Sequence, residues 1–549
     1  MNATGEEQVV VEERRRWWRR RWVMWTGVAF VGVAIAGALL VAWGLRQIQP
    51  MLRKKVVETL SARFNSPVEL DRLSLSMTKG IIVSGGGLRI LYLAGPTKPD
   101  ARPNAPPMLS VDNFEFGTGW RELMKPTTRL VTVKVNGLRV NIPPKGNRGE
   151  LDNPKRRGQS ALGIVVDRIE CTDAKVTLET NKPGKKPLEF AISSLVLTDV
   201  GAKKPLNYTA VLVNPKPVGN VRSTGHFGPW QDDNPRDTPL DGDYEFTQAD
   251  LSSIHGIEGI LASKGRFAGT LGEIAAEGVA DVPAFRLDVS EHALPLHTEF
   301  RAVVDGMSGD TRLEWVKARV GRSELTATGS VTRAVGMPGH STEMRVVMDR
   351  GRIEDMLTLA MKASPALMRG ALATKTHILI PPGPVSVSRK MRLEGTFAIH
   401  DALLNNEKMQ QQLNAMSERA RGNPKLANAQ DAETVSSSLS GTFSQADAVM
   451  QIPQLDYQMP GAEVTMVGQI ELMGSKYEFH GKVRTAATAS QMTTGWKSLL
   501  LIPFDGLLKK NGAGVELPIQ MSGVGSAYDL RLDFPHNTGI SVGTTSGPK

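Results

Sequence analysis

Glu324–Val331 (ELTATGSV) and Glu463–Ile470 (EVTMVGQI) carry one alternation of apolar and polar positions. Laid over each other without a gap, Leu325 meets Val464, Ala327 meets Met466, Gly329 meets Gly468 and Val331 meets Ile470. Side chains two apart share a strand face, so each reads as a strand whose apolar row contains a glycine. The form recurs at Leu393, Gly395 and Phe397 and at Leu439, Gly441 and Phe443, with looser copies around Gly265 and Gly225. A strand-interior glycine marks a bend or a close approach to the backbone. The rows predict either a long antiparallel sheet curled into an apolar trough or a sandwich whose glycines relieve crowding.

Alternation continues from Ile164 onward in KVTLET, FAISSLVLTDV, YTAVLVN, EFRAVVDG and RLEWVKARV, strand after strand with little helix between. Upstream, PVELDRLSLSM and GIIVSGGGLRILYL read as a hairpin. The triple glycine Gly85 to Gly87 has no following lysine or helix start, so it reads as a bulge or bend and not a phosphate cradle. Helical spacing is confined to a few patches. Met51–Asn65 carries Leu52, Val56, Val57 and Leu60; Gln248–Ser263 is short and glycine-interrupted. Gly351–Gly370 aligns Ile353, Leu357 and Met361, and Leu403–Gly422 aligns Met409, Leu413 and Met416 as packing stripes. Pro-rich segments at Ala94–Met108 and Pro143–Ser160 read as exposed excursions.

One segment stands apart. Val23–Leu45 contains no charge and is long enough to cross a bilayer core of about 30 Å. Trp22 and Trp25 lie at one end and Trp43 at the other, where amphipathic rings favour the headgroup level. A cleaved signal peptide has a shorter apolar core of about 7–15 residues and a small-residue exit, so the segment is expected to be an uncleaved anchor. The six arginines of Arg14–Trp22 (RRRWWRRRW) place the N-terminus in the cytoplasm and the bulk of the chain across the membrane. In a two-membrane bacterium this is the inner membrane, with the chain in the periplasm.

Charge and chemistry narrow the function. The net charge of +10 is concentrated in that arginine run, with no basic-aromatic stripe elsewhere, which argues against nucleic acid as a partner. Cys171 is the one cysteine, so a disulfide within the chain and a four-cysteine zinc site are excluded, and it reads as a small buried hydrophobe. Among nine histidines only His292 and His297 are close, at a spacing that suits neither a helical nor a strand metal pair. No nucleophile elbow occurs, and Asp241-Gly242-Asp243 reads as a turn. The expectation is no catalytic residue, no metal, no cofactor and no enzyme.

The anchor, Arg63–Ser76 (RFNSPVELDRLSLS), Gly259–Leu287 and Ser437–Phe534 together resemble the AsmA-like family of envelope proteins, related to the TamB and chorein-type lipid transfer proteins. The resemblance spans most of residues 23–535 and is carried by strand-and-turn patterns. It implies a mainly β fold: a transmembrane helix, then a long curved antiparallel sheet with a few short helices, forming a groove that shields acyl chains. The expected layout is a basic tail at 1–22, the anchor at 23–45, a chorein-like start at 46–142 and a mobile loop at 143–160. An AsmA-like β region at 161–402, a helix and polar linker at 403–436, a second such region at 437–535 and a disordered tail at 536–549 follow. The implied function is phospholipid transport or outer-membrane homeostasis, with the inner membrane, phospholipid and a periplasmic or outer-membrane protein as partners. The groove lining would be Leu325, Ala327, Gly329, Val331, Leu393, Gly395, Phe397, Leu439, Gly441, Phe443, Val464, Met466, Gly468 and Ile470. The alternative is a scaffold for outer-membrane proteins that binds their strands at sheet edges.

Overall fold

The computed structural model describes residues 66–76, 81–91, 106–118, 127–142, 163–179 and 187–200, a few positions between 50 and 61, and 204–545 with interruptions, the longest at 493–513. The anchor expected at Val23–Leu45, with Trp22, Trp25 and Trp43, lies outside the described residues. Among the described residues no helix is long and apolar enough to cross a membrane. The described chain is mainly β, with few helices, and divides into two compact units at Lys203/Lys204, inside the expected 161–402 segment.

The first unit contains β1 (Val68–Ser76), β2 (Ile81–Ile90), β3 (Leu109–Thr118), β4 (Thr127–Ile142), β5 (Gly163–Leu178) and β6 (Leu188–Val200), each paired with the next. The expected sheet is antiparallel throughout, yet β4 and β5 run parallel. Parallel neighbours need a crossover of a dozen or more residues. The segment between Ile142 and Gly163 is long enough to be that crossover, and side-chain alternation does not distinguish the two directions. Backbone geometry then shifts which residues face inward. Leu70, Leu88, Val111 and Leu138 form one cross-strand apolar row. Three residues along β1, the next apolar row runs Leu73, Gly85, Phe114, Val135, Cys171 and Leu195. An odd step would put the two rows on opposite faces. Between them Gly87, Gly137 and Asp173 adopt positive φ (66°, 71° and 50°), and these left-handed residues restore the apolar side. The expected bend at the triple glycine is thus a left-handed residue at Gly87. Cys171 is buried, and burial pushes its thiol pKa up.

The second unit starts with β7 (Leu206–Pro215), β8 (Val218–Phe227), β9 (Pro239–Asp250), the two-residue β10 (Ile257–Glu258), β11 (Ile260–Thr270) and β12 (Glu273–Leu287). It continues through β13 (Leu294–Val304), β14 (Thr311–Val320), β15 (Ser323–Arg333), β16 (His340–Arg352), β17 (Met368–Ile380) and β18 (Arg392–Leu404). The last are β19 (Ser437–Ala446), β20 (Val449–Met459), β21 (Ala462–Glu471), β22 (Lys476–Thr485), β23 (Glu516–Val524), β24 (Ala527–Leu532) and β25 (Ile540–Thr545). From β7 to β25 each strand pairs antiparallel with its successor, save that β9 pairs with β11 and β10 lies against β12. β18 pairs with β19 directly across the expected linker 403–436. Residues 540–545, expected in a disordered tail, add a strand to the edge of β24. Register shifts interrupt most of these pairings, and such bulges bend and twist a sheet. The sheet is curved and open.

The two ends of the strands are built differently. At one end, tight turns join β11 to β12 and β19 to β20; in the latter, Asp447 and Ala448 both take positive φ (53° and 61°), the geometry of a two-residue hairpin. At the other lie α1 (Ile353–Ala360) and α2 (Glu407–Ala420). Helix was expected at Gln248–Ser263 too, but β9 runs to Asp250, a single 3-10 turn covers Leu251–Ser253, and β11 begins at Ile260. Gly256 and Gly259, at φ 99° and 136°, break the helical pattern.

The stripes expected on the helices are also corrected. α1 buries Asp355 and Leu359, with Ile353 and Met356 against the core, and Met361 lies beyond its end. Asp355 accepts from the Arg322 backbone N–H at 2.9 Å and the Ser323 hydroxyl at 2.8 Å. In α2, Met409 and Met416 are 49% and 53% exposed, while Gln410, Asn414 and Ser417 are buried. The polar face is the packed one because each group is satisfied. Gln410 donates to the Val435 carbonyl and accepts from the Leu404 N–H, Asn414 accepts from the Val435 N–H, and the Ser417 hydroxyl donates to the Pro460 carbonyl.

Asp305 fixes the loop between β13 and β14, accepting from the N–H groups of Met307 and Ser308 at 2.8 and 3.1 Å and pairing with Arg236 at 2.9 Å. Burial pushes its carboxyl up, but those donors and the guanidinium outweigh it and hold the pKa at about 2. A depressed carboxyl contributes its stability above the unfolded value of about 3.9 and loses it as pH falls through the folded value. Asp305→Asn should lower unfolding stability by about 1 kcal/mol at pH 7. In urea titrations the gap to the parent protein should close between about pH 4 and pH 2; a gap that persists undiminished would mean that the charge is not what matters.

Candidate functional site

Following cross-strand partners carries one row through the second unit: Tyr208, Gly225, Gly242, Phe267, Ala276, Ala302, Leu313, Gly329, Met344, Ile378, Leu393, Gln445, Met450, Ile470, Tyr477, Gly523, Tyr528. Residues directly opposite share a face, so this row lies on one side of the sheet from β7 to β24. Parallel rows flank it. Ala327, Val346, Thr376, Gly395 and Phe443 form one, and Thr374, Phe397, Gly441, Leu455, Met466 and Gly481 another. All fourteen residues expected to line a groove fall on this face. Leu325 and Val331 flank Ala327 and Gly329 along β15, Leu439 lies opposite Tyr457, and Val464 and Gly468 lie opposite Val483 and Phe479.

No charged side chain occupies these rows. Arginines, lysines, carboxylates and histidines take the alternate positions on the other side, as in the pairs Arg301 with Glu314 at 3.0 Å, His297 with Asp281 at 2.6 Å and Arg266 with Glu277. There His377 lies 2.9 Å from Glu343 and 3.1 Å from Glu394, and these carboxylates raise its pKa. The clefts of about 540 Å³ and 320 Å³ also lie on polar sides, one in each unit, around Lys134 and Lys375.

The apolar side is incompletely covered. Of the fourteen residues only Ala327 is fully buried, and the others are half-buried. Small clusters form on it, Met348 with Leu372, Ile399 and Ala402, and Ile452 with Leu455 and Phe479. A sandwich core would bury the large members of such rows throughout.

The glycines permit the curl. A Cβ added at Gly329, Gly395, Gly441 or Gly468 would lie under 3.0 Å from the carbonyl oxygen of Glu343, Lys375, Gln454 or Glu478 on the next strand, a contact no real Cβ makes. Large side chains occupy the space left free: Phe443 beside Gly395, Phe397 beside Gly441, Phe479 beside Gly468 and Met466 beside Gly481. Phe397 and Phe443 themselves sit 6.3 Å apart. The strands thus approach closely at these glycines, and neighbouring large side chains cover the gaps. Gly481, Gly278 and Gly242 take the same part; Phe479-x-Gly481-x-Val483 already carries the pattern in the sequence.

No family model matches the chain, and neither a curated protein nor a solved structure does.

A methyl group at Gly468 should clash with both the Glu478 carbonyl and the Phe479 ring. Gly468→Ala should destabilise by about 1–3 kcal/mol, the usual penalty of overpacking, outweighing the modest entropy gain of alanine. Gln469→Ala, on the polar side, should stay within about 0.5 kcal/mol of the parent. Equal denaturation midpoints for all three proteins would rule out the tight approach.

Proposed function

We propose that the protein is a membrane-anchored envelope protein whose apolar sheet side shields lipid acyl chains, contributing to phospholipid transport or outer-membrane homeostasis as the AsmA-like resemblance implies. The observation that carries this is an apolar side, continuous over seventeen strands, with no charge in its rows and only partly covered. Each methylene withdrawn from water returns about 0.8 kcal/mol, so acyl chains can be held by shape without a polar constellation. The apolar stretch Val23–Leu45, flanked by Trp22, Trp25 and Trp43, would tether the chain at the inner membrane with its bulk in the periplasm. A scaffold that grips other strands at its sheet edges needs no such side, and a large apolar area left uncovered is a liability unless something occupies it.

The test compares lipid content. Full-length protein purified from membranes and its Met466→Glu variant should carry the same lipid around the anchor. The parent should hold additional phospholipid, at least about one molecule per chain by mass spectrometry of the organic extract, that the variant lacks. Thr465→Glu, on the polar side, should retain it. Equal lipid in parent and Met466→Glu, with unchanged circular dichroism, would remove the apolar side from consideration as the binding surface.

A further inference from the structure

One side-chain amide lies in the apolar row. Gln445 on β19 stands directly opposite Leu393 on β18 and Met450 on β20, the carboxamide in the row from Tyr208 to Tyr528. It is 4% exposed, and its Nε2 has no hydrogen-bond partner. A buried donor without an acceptor is destabilising, and an apolar residue of similar size would avoid that. Methionine fills comparable positions at Met344, Met450, Met466 and Met521. The amide is not needed to align the strands, because backbone pairing and the Asp447–Ala448 turn already set the β19–β20 register.

An acceptor from outside the chain would satisfy this donor. Among the described residues no cationic side chain lies in the apolar rows, so a phosphate there would be uncompensated. A neutral carbonyl oxygen suits a neutral N–H. We propose that Gln445 donates from Nε2 to the ester carbonyl of an acyl ligand, and so sets where along the sheet the polar end of the chain stops. This rests on the acyl-chain reading above. Met450, opposite, is unbranched and adaptable and can yield as the ligand enters.

The experiment uses the full chain, transferred free of lipid into amphipol and loaded with a pyrene-labelled alkane. Displacement by tridecane and by methyl laurate, matched in carbon number but differing in the ester, is then compared. The parent should prefer the ester about five- to tenfold, the worth of one hydrogen bond. Gln445→Leu should bind tridecane as the parent does, lose the ester preference and melt no lower. Ester preference retained in Gln445→Leu overturns the proposal. So does a lowered melting temperature in both Gln445→Leu and Gln445→Met, which would make the amide structural. If the parent binds both probes equally, this inference alone falls; if it binds neither, the acyl-chain reading falls with it.

Discussion

The second unit depends on how closely strands approach at their glycines. At Gly329, Gly395, Gly441 and Gly468 a Cβ would collide with a carbonyl of the adjacent strand, an approach that only glycine permits and that suits a bent sheet. Bulges in most strand pairs add to that bend. Side chains on the apolar side crowd one another, Phe397 near Phe443 and Met466 over Gly481, and so shed part of their exposure. A flat sheet of the same composition would leave those rows open and would tend to stack on another copy of itself.

Much of this was legible in the chain because period-two alternation is a strong signal and each glycine copy reports the same local event. Two stretches more than a hundred residues apart, around Gly329 and Gly468, proved to lie on one side of one sheet, as their shared pattern implies. What was not legible depended on partners distant in sequence. Nothing in Glu407–Ala420 says that Gln410, Asn414 and Ser417 will find Val435 and Pro460, so its methionines looked like the packing stripe. Likewise the direction of β5 against β4 leaves no trace in alternation, and Gln445 looks like any polar residue near a hairpin until the register places it.

The strand ends divide the structural work. Hairpins such as Asp447–Ala448 hold neighbouring strands in register with few residues. At the opposite ends α1 and α2 join strands that are not neighbours: Glu354 and Asp355 reach Arg322, Ser323 and Gly370, Ser290 reaches Thr358, and Ser417 reaches Pro460. These links are hydrogen bonds between groups partly or fully withdrawn from water. They resist spreading of the strand ends, while Ile353 and Met356 of α1 also pack onto the apolar cluster of Met348, Leu372, Ile399 and Ala402.

Scale bears on what such a side can do. Seventeen strands at about 4.8 Å spacing extend roughly 77 Å along the sheet, whereas one leaflet's acyl layer is about 15 Å deep. A uniform apolar side of that length offers a lipid many nearly equivalent positions, so hydrophobic contact alone favours movement along it over arrest at any point. A polar group inside the row changes this, because it distinguishes one place from all others. On the proposed reading Gln445 is that group, and its cost in the empty protein is what makes the position selective when a carbonyl arrives.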